Sequence, residues 1–65
     1  MSEKNKMIHE ALHRNRVYAY EASFILGVSV STYNRMIRSE LPESRQKEIV
    51  KLIEDYSSKR NANNG

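Results

Sequence analysis

The chain has 65 residues and a mass of 7.6 kDa, with 11 Lys and Arg against 8 Asp and Glu, a net charge of +3 and a pI near 9.5. Mean hydropathy is −0.77 and there is no Cys, which excludes a disulfide framework and a thiolate metal site, and no apolar run approaches the roughly 18–20 residues of a membrane span. A chain this short buries only about 60% of its unfolded surface, which leaves little room for a water-excluding catalytic cleft and favours a binding module for an acidic partner.

Met1–Lys6 is charged and no apolar stretch follows it, so no secretory leader is expected. Gly occurs only at Gly27 and Gly65, and Pro only at Pro42. A β-rich domain needs more turn formers, so the expected fold is all-α, a small bundle of about four helices (three to five) without a sheet. The first helix is expected from about Lys4 to Asn15, with Met7, Ile8, Ala11 and Leu12 on one side. The second is expected over Ala19–Leu26 and stops before Gly27, a natural residue for the position after a helix. Its apolar residues run almost all round. Ala22, Ile25 and Leu26 form the expected core face, and Tyr20 with Phe24 form a second strip. That strip either packs on the first or fourth helix or is an exposed patch for self-association or a partner protein.

The third helix is expected over about Val30–Glu40, with Ser29 as its N-cap. Tyr33, Met36 and Ile37 share one arc, and Ser31, Asn34, Arg35 and Arg38 share the opposite one. The fourth is expected from Pro42 to about Tyr56, where Ile49, Val50, Leu52, Ile53 and Tyr56 make a wide apolar stripe. Glu43 and Lys47 are an i,i+4 pair in the favourable order. Residues 57–65 are polar, Asn-rich and without periodicity, which predicts a flexible polar tail beyond a domain of residues 1–56. Lys59 and Arg60 are expected to be solvated there.

The charge is unevenly spread. Residues 1–38 carry six basic and three acidic side chains, whereas residues 39–65 carry five of each. The excess therefore travels with the first three helices, and the fourth is the expected scaffold. Helix two, a short turn and helix three, over about residues 19–39, have the pattern of a helix–turn–helix. Gly27 allows the sharp turn, Val28 plugs the apolar gap, Ser23 is small enough for close helix approach, and Tyr33 and Ile37 anchor the third helix. The polar arc then faces outward and suits a major groove about 12 Å wide.

Residues 9–13 spell H-E-x-x-H, a zinc-metalloprotease pattern. His9 and His13 share a helical face, but that face lies opposite Met7, Ile8, Ala11 and Leu12. The chain has no third His and no Cys to complete a site, and it is too short to build a cleft. The expectation is no metal, no cofactor and no enzymatic activity.

The stretch from Leu26 to Asp55 resembles small Cro-like helix–turn–helix proteins of Gram-positive phages, plasmids and integrative elements. The matching residues are Leu26, Gly27, Val28, Ser29, Ser31, Thr32, Tyr33, Arg35, Leu41 and Pro42. Ser23 stands where such motifs usually carry Ala, Phe24 where they carry a polar residue, and Tyr18 where a Ser or Thr cap is common. The resemblance, over about Val17 to Asp55, implies a double-stranded DNA-binding protein of a bacterial cytoplasm. Its role there is most simply that of a transcriptional regulator of a mobile element. An accessory factor for excision, integration or plasmid transfer, or a protein-binding antirepressor module, is the alternative. By the same resemblance Val30, Ser31, Asn34 and Arg35 read base edges, and Ser29, Thr32 and Arg38 hold phosphates. Arg14, Arg16 and Lys6 are further phosphate candidates. The resemblance brings no small-molecule ligand and no membrane partner; a homodimer on DNA or a partner protein is the expected assembly.

Overall fold

Four helices follow one another in the computed structural model, which describes residues 4–64, with side chains described as far as Asn61. They are α1 (Lys6–Asn15), α2 (Ala19–Leu26), α3 (Val30–Met36) and α4 (Glu43–Asn64), with no strand among the described residues. The fold is thus the all-α small bundle that the composition predicts.

α1 and α2 end by the same device. At the end of α1, Arg16 adopts φ 54°, its N–H donates to the His13 carbonyl at 3.2 Å, and the Val17 N–H donates to the Leu12 carbonyl at 2.9 Å. At the end of α2, Gly27 adopts φ 71°, its N–H donates to the Phe24 carbonyl at 3.0 Å, and the Val28 N–H donates to the Ser23 carbonyl at 3.0 Å. Both are Schellman closures, which turn the next apolar residue back onto the core. Val17 is buried by it, and Val28 packs against the core. Gly27 suits its left-handed backbone, whereas Arg16 holds the same conformation with a side chain that disfavours it.

The start of α2 has no Ser or Thr cap, and Glu21 compensates by accepting the Tyr18 N–H at 3.1 Å. A carboxylate three residues into the helix reaching back in this way is half of a capping box. Ser29 caps α3 as expected: its Oγ accepts the Thr32 N–H at 3.1 Å.

Four boundaries differ from the sequence expectation, the start of the fourth helix by a single residue, at Glu43 rather than Pro42. The first helix begins at Lys6 rather than Lys4, because Asn5 turns with φ 57°. The third ends at Met36 rather than Glu40. Its exit carbonyls find partners outside the helix: Asn5 Nδ2 donates to Ile37 and Ser39, both at 3.0 Å, and Lys4 Nζ donates to Arg38 at 3.0 Å. The fourth helix is the largest departure. Residues 57–64, expected as a tail beyond the domain, continue α4 as helix to Asn64. Ser57 is buried, and Arg60 is tied to the first half of the chain.

The core is thin. Ile8, Ala11 and Leu12 of α1, Val17, Ala22 of α2, Tyr33 of α3, and Ile49 and Ile53 of α4 form its buried cluster. Ile25, Leu26, Val28, Ile37, Leu41, Val50 and Tyr56 pack around it. α4 lies mainly on α1, and α3 mainly on α2. Leu52, expected in the buried stripe, is exposed. Tyr20 and Phe24 are 62% and 77% exposed, which excludes their packing against α1 or α4. Ser23 is buried between the helices as its size allows, and its hydroxyl donates to the Tyr20 carbonyl at 2.7 Å.

Candidate nucleic-acid interface

The polar arc of α3 is assembled by local rules. Ser29 starts the helix, and Tyr33, fully buried one turn on, fixes which side faces the core. Positions 31, 34 and 35 then fall outward, as the helical period requires. Ser31, Asn34, Arg35 and Arg38 line one shallow hollow on the outer side. Arg38 lies past the end of the helix, yet the turn keeps it on that hollow. Val30 is exposed at the start of the helix, beside Ser31.

No acidic side chain among the described residues lines the hollow. Among the described residues, the side chains of Ser31, Asn34, Arg35 and Arg38 make no hydrogen bond or ion pair within the chain. Their donors and acceptors therefore face solvent. The two hydroxyls at the helix start are in a different position. The Ser29 hydroxyl donates to Thr32 Oγ1 at 2.9 Å while its oxygen accepts the Thr32 N–H, so Ser29 is committed to capping. The Thr32 hydroxyl keeps its own proton for an outside acceptor.

The outlying cations separate. Lys6 is exposed, one residue after Asn5 and hence beside the exit of α3. Arg16 is exposed at the α1–α2 turn, where with Leu12, His13, Val17 and Tyr18 it lines an open cleft. Arg14 is engaged instead with Glu54 of α4 at 2.8 Å. None of the three lines the α3 hollow.

Two polar clusters escaped the sequence reading. Glu21 Oε2 accepts both the Tyr56 hydroxyl at 2.7 Å and Arg60 Nη1 at 2.8 Å. Arg60 also donates to the Asn15 carbonyl at 3.0 Å and lies 5.5 Å from the centre of the Tyr56 ring. Burial pushes the Glu21 carboxyl up, but the Tyr18 N–H, the Tyr56 hydroxyl and Arg60 outweigh it and hold it below the ordinary value. The Tyr56 hydroxyl is raised, first because it donates to Glu21. The signal for Arg60 was present: residues 49, 53, 56 and 60 continue one helical face. The second cluster joins Asn5, Glu40 and Gln46. Glu40 accepts the Asn5 N–H at 2.8 Å and Gln46 Nε2 at 2.8 Å, and these bonds, the first above all, lower its carboxyl. The only hint of it was an Asn directly before a helix, since Asn tolerates a left-handed backbone.

His9 is half-buried and His13 exposed on α1. Among the described residues no group of three or more His, Cys, Asp or Glu is placed to hold a metal. None of their helices is long and apolar enough to cross a membrane. Tyr18, Tyr20 and Phe24 form an exposed aromatic patch on α2 and its approach, with the two Tyr rings stacked 5.8 Å apart. No family model matches this chain, and no curated protein and no solved structure matches it either.

Proposed function

We propose that α2, its turn and α3 act as a helix–turn–helix that binds double-stranded DNA, with α3 in the major groove. The observation that carries this reading is the outward face of α3. Ser31, Asn34, Arg35 and Arg38 converge there without an acidic neighbour or an intramolecular partner among the described residues. Asn and Arg at such positions match adenine and the O6/N7 edge of guanine, and Val30 matches a thymine methyl. Thr32, Arg38, Lys6 and Arg16 are the proposed phosphate ligands. Ser29 supports them through the cap rather than by contact, and Arg14 enters only if it leaves Glu54. The biological role that fits is regulation of transcription on a mobile element, with a recombination or transfer accessory role as the alternative.

One module reads only a short half-site, so two protomers on paired half-sites about one helical turn apart are part of the proposal. The exposed Tyr20 and Phe24 are its candidate protein contact. Phe24→Glu is expected to keep the fold and abolish cooperativity; cooperative binding by the variant removes the strip from that role.

The deciding experiment is a fluorescence titration of duplex DNA at several salt concentrations. Log K should fall against log[salt] with a slope of roughly 0.9 per phosphate contact, about four to six contacts per protomer. Arg35→Ala should cost about 1–3 kcal/mol and relax the preference at one base pair, whereas Arg38→Ala should weaken all sequences alike. Affinity that ignores salt refutes the reading.

A further inference from the structure

The recognition face sits on a helix of seven residues, too short to hold its own direction. One end is fixed by the Ser29 cap and the turn from α2. The other end is fixed from the far side of the sequence. Three consecutive carbonyls leave α3, those of Ile37, Arg38 and Ser39, and all three accept donors from residues 4 and 5.

Asn5 is the centre of that arrangement. It is wholly buried and its φ of 57° aims the side chain at the α3 exit. Its amide nitrogen donates to Ile37 and Ser39, its amide oxygen accepts the Leu41 N–H at 2.7 Å, and its own N–H donates to Glu40 Oε1 at 2.8 Å. Gln46 closes the ring by donating to Glu40 Oε2 at 2.8 Å and to the Leu41 carbonyl at 2.9 Å. Every bond of this clasp ends on the segment between α3 and α4, so it joins the start of α1 to the exit of α3.

We propose that Asn5, supported by Glu40, is the positioning residue for the DNA-reading face: its clasp sets where α3 stops and the direction in which Asn34, Arg35 and Arg38 project. The inference rests on the DNA-binding reading above. Asn5 itself touches no base. Its loss lets the exit of α3 fray, so base readout falls while the number of phosphate contacts stays the same.

The test uses Asn5→Gly, because Gly accepts φ 57° and the substitution removes only the side-chain bonds. The probes are a duplex enriched by the wild-type protein from a randomised pool and a random duplex of equal length. The expected result is a drop of roughly tenfold in the ratio of the two affinities, the scale of one or two lost buried hydrogen bonds, with an unchanged salt slope. The Leu41 amide should exchange faster in the same variant, since its acceptor is gone. Glu40→Gln, at an exposed side chain, should lower the ratio less and decides the matter if Asn5→Gly does not fold. An unchanged ratio in a folded Asn5→Gly, or in Glu40→Gln when the first variant is unfolded, overturns the positioning role and leaves the DNA reading intact. A wild-type protein that enriches no duplex removes both.

Discussion

Arg60 offers the sharpest test of the architecture, because the polar composition around it predicts that nothing should depend on it. In Arg60→Ala the chain loses the 2.8 Å ion pair to Glu21, the 3.0 Å bond to the Asn15 carbonyl and the contact with the Tyr56 ring. The 3.4 Å approach to the Arg16 carbonyl adds little at that length. The pair is mostly shielded, with 30% of the Arg60 and 12% of the Glu21 side chain exposed, so it is worth more than an open surface bridge. Glu21 keeps the Tyr18 N–H and the Tyr56 hydroxyl, so it is not stranded, and the loss stays below that of a fully buried broken pair. One charge-assisted bond, one carbonyl bond and a weak cation–π contact together come to about 2 kcal/mol. In a domain of this size that lowers Tm by roughly 8–16 °C. Thermal and urea unfolding followed by circular dichroism would read it. A double-mutant cycle with Glu21→Gln should show coupling of about 1 kcal/mol. A Tm within about 2 °C of wild type would mean the last turns of α4 contribute nothing, and the account of the α2 start would fail with them.

Glu21 and Glu40 are both held below the ordinary carboxylate value of 4.5 in the folded state, so the stability they contribute is present above that value and is lost as pH falls from it through the lower folded value. Tm should therefore drop below about pH 4.5, and the double variant Glu21→Gln, Glu40→Gln should flatten that acid limb; an unaltered limb refutes the assignment. The Tyr33 hydroxyl is buried without a hydrogen-bond partner among the described residues. Tyr33→Phe should be neutral or stabilising by up to about 1 kcal/mol in urea unfolding, and a clear loss would reveal a missed partner. Arg16→Gly relieves a left-handed residue and should raise stability by about 0.5 kcal/mol or more. The same variant should reduce the salt slope of DNA binding by roughly 0.9 if Arg16 touches a phosphate, and an unchanged slope removes it from the interface.

Legibility in the sequence followed the range of the forces involved. α2 matched its expected bounds because Gly27 and the pattern around it act within a few residues. The arc of α3 was legible for the same reason: the period places Ser31, Asn34 and Arg35 together, and the turn after the helix adds Arg38. The end of α3 was not, because the groups that satisfy its carbonyls lie more than thirty residues upstream. The extent of α4 was hidden by composition. Ser57 and Arg60 are polar, yet they occupy the face that Ile49 and Ile53 begin, and Arg60 finds its acceptors on α2 and at the end of α1. Arg14 was legible as a basic residue, but its commitment to Glu54, forty positions on, was not.

These long-range polar ties share a geometry that bears on the site. A core of eight buried apolar residues among the described residues gives a narrow margin, so the ends of short helices must be held by other means. Arg60 and Glu21 hold the start of α2, and Asn5 with Glu40 and Gln46 holds the exit of α3. The α2–turn–α3 unit is therefore clamped at its two outer ends, with Tyr33 buried between them. Lys4, Arg14 and Arg60 are engaged in such long-range contacts and Arg45 in a local one with Glu48, whereas Arg35 and Arg38 have none among the described residues. The unit keeps its position without calling on the side chains of its outer face. That freedom is what a recognition surface requires, since each donor spent on the fold would be one fewer for the ligand.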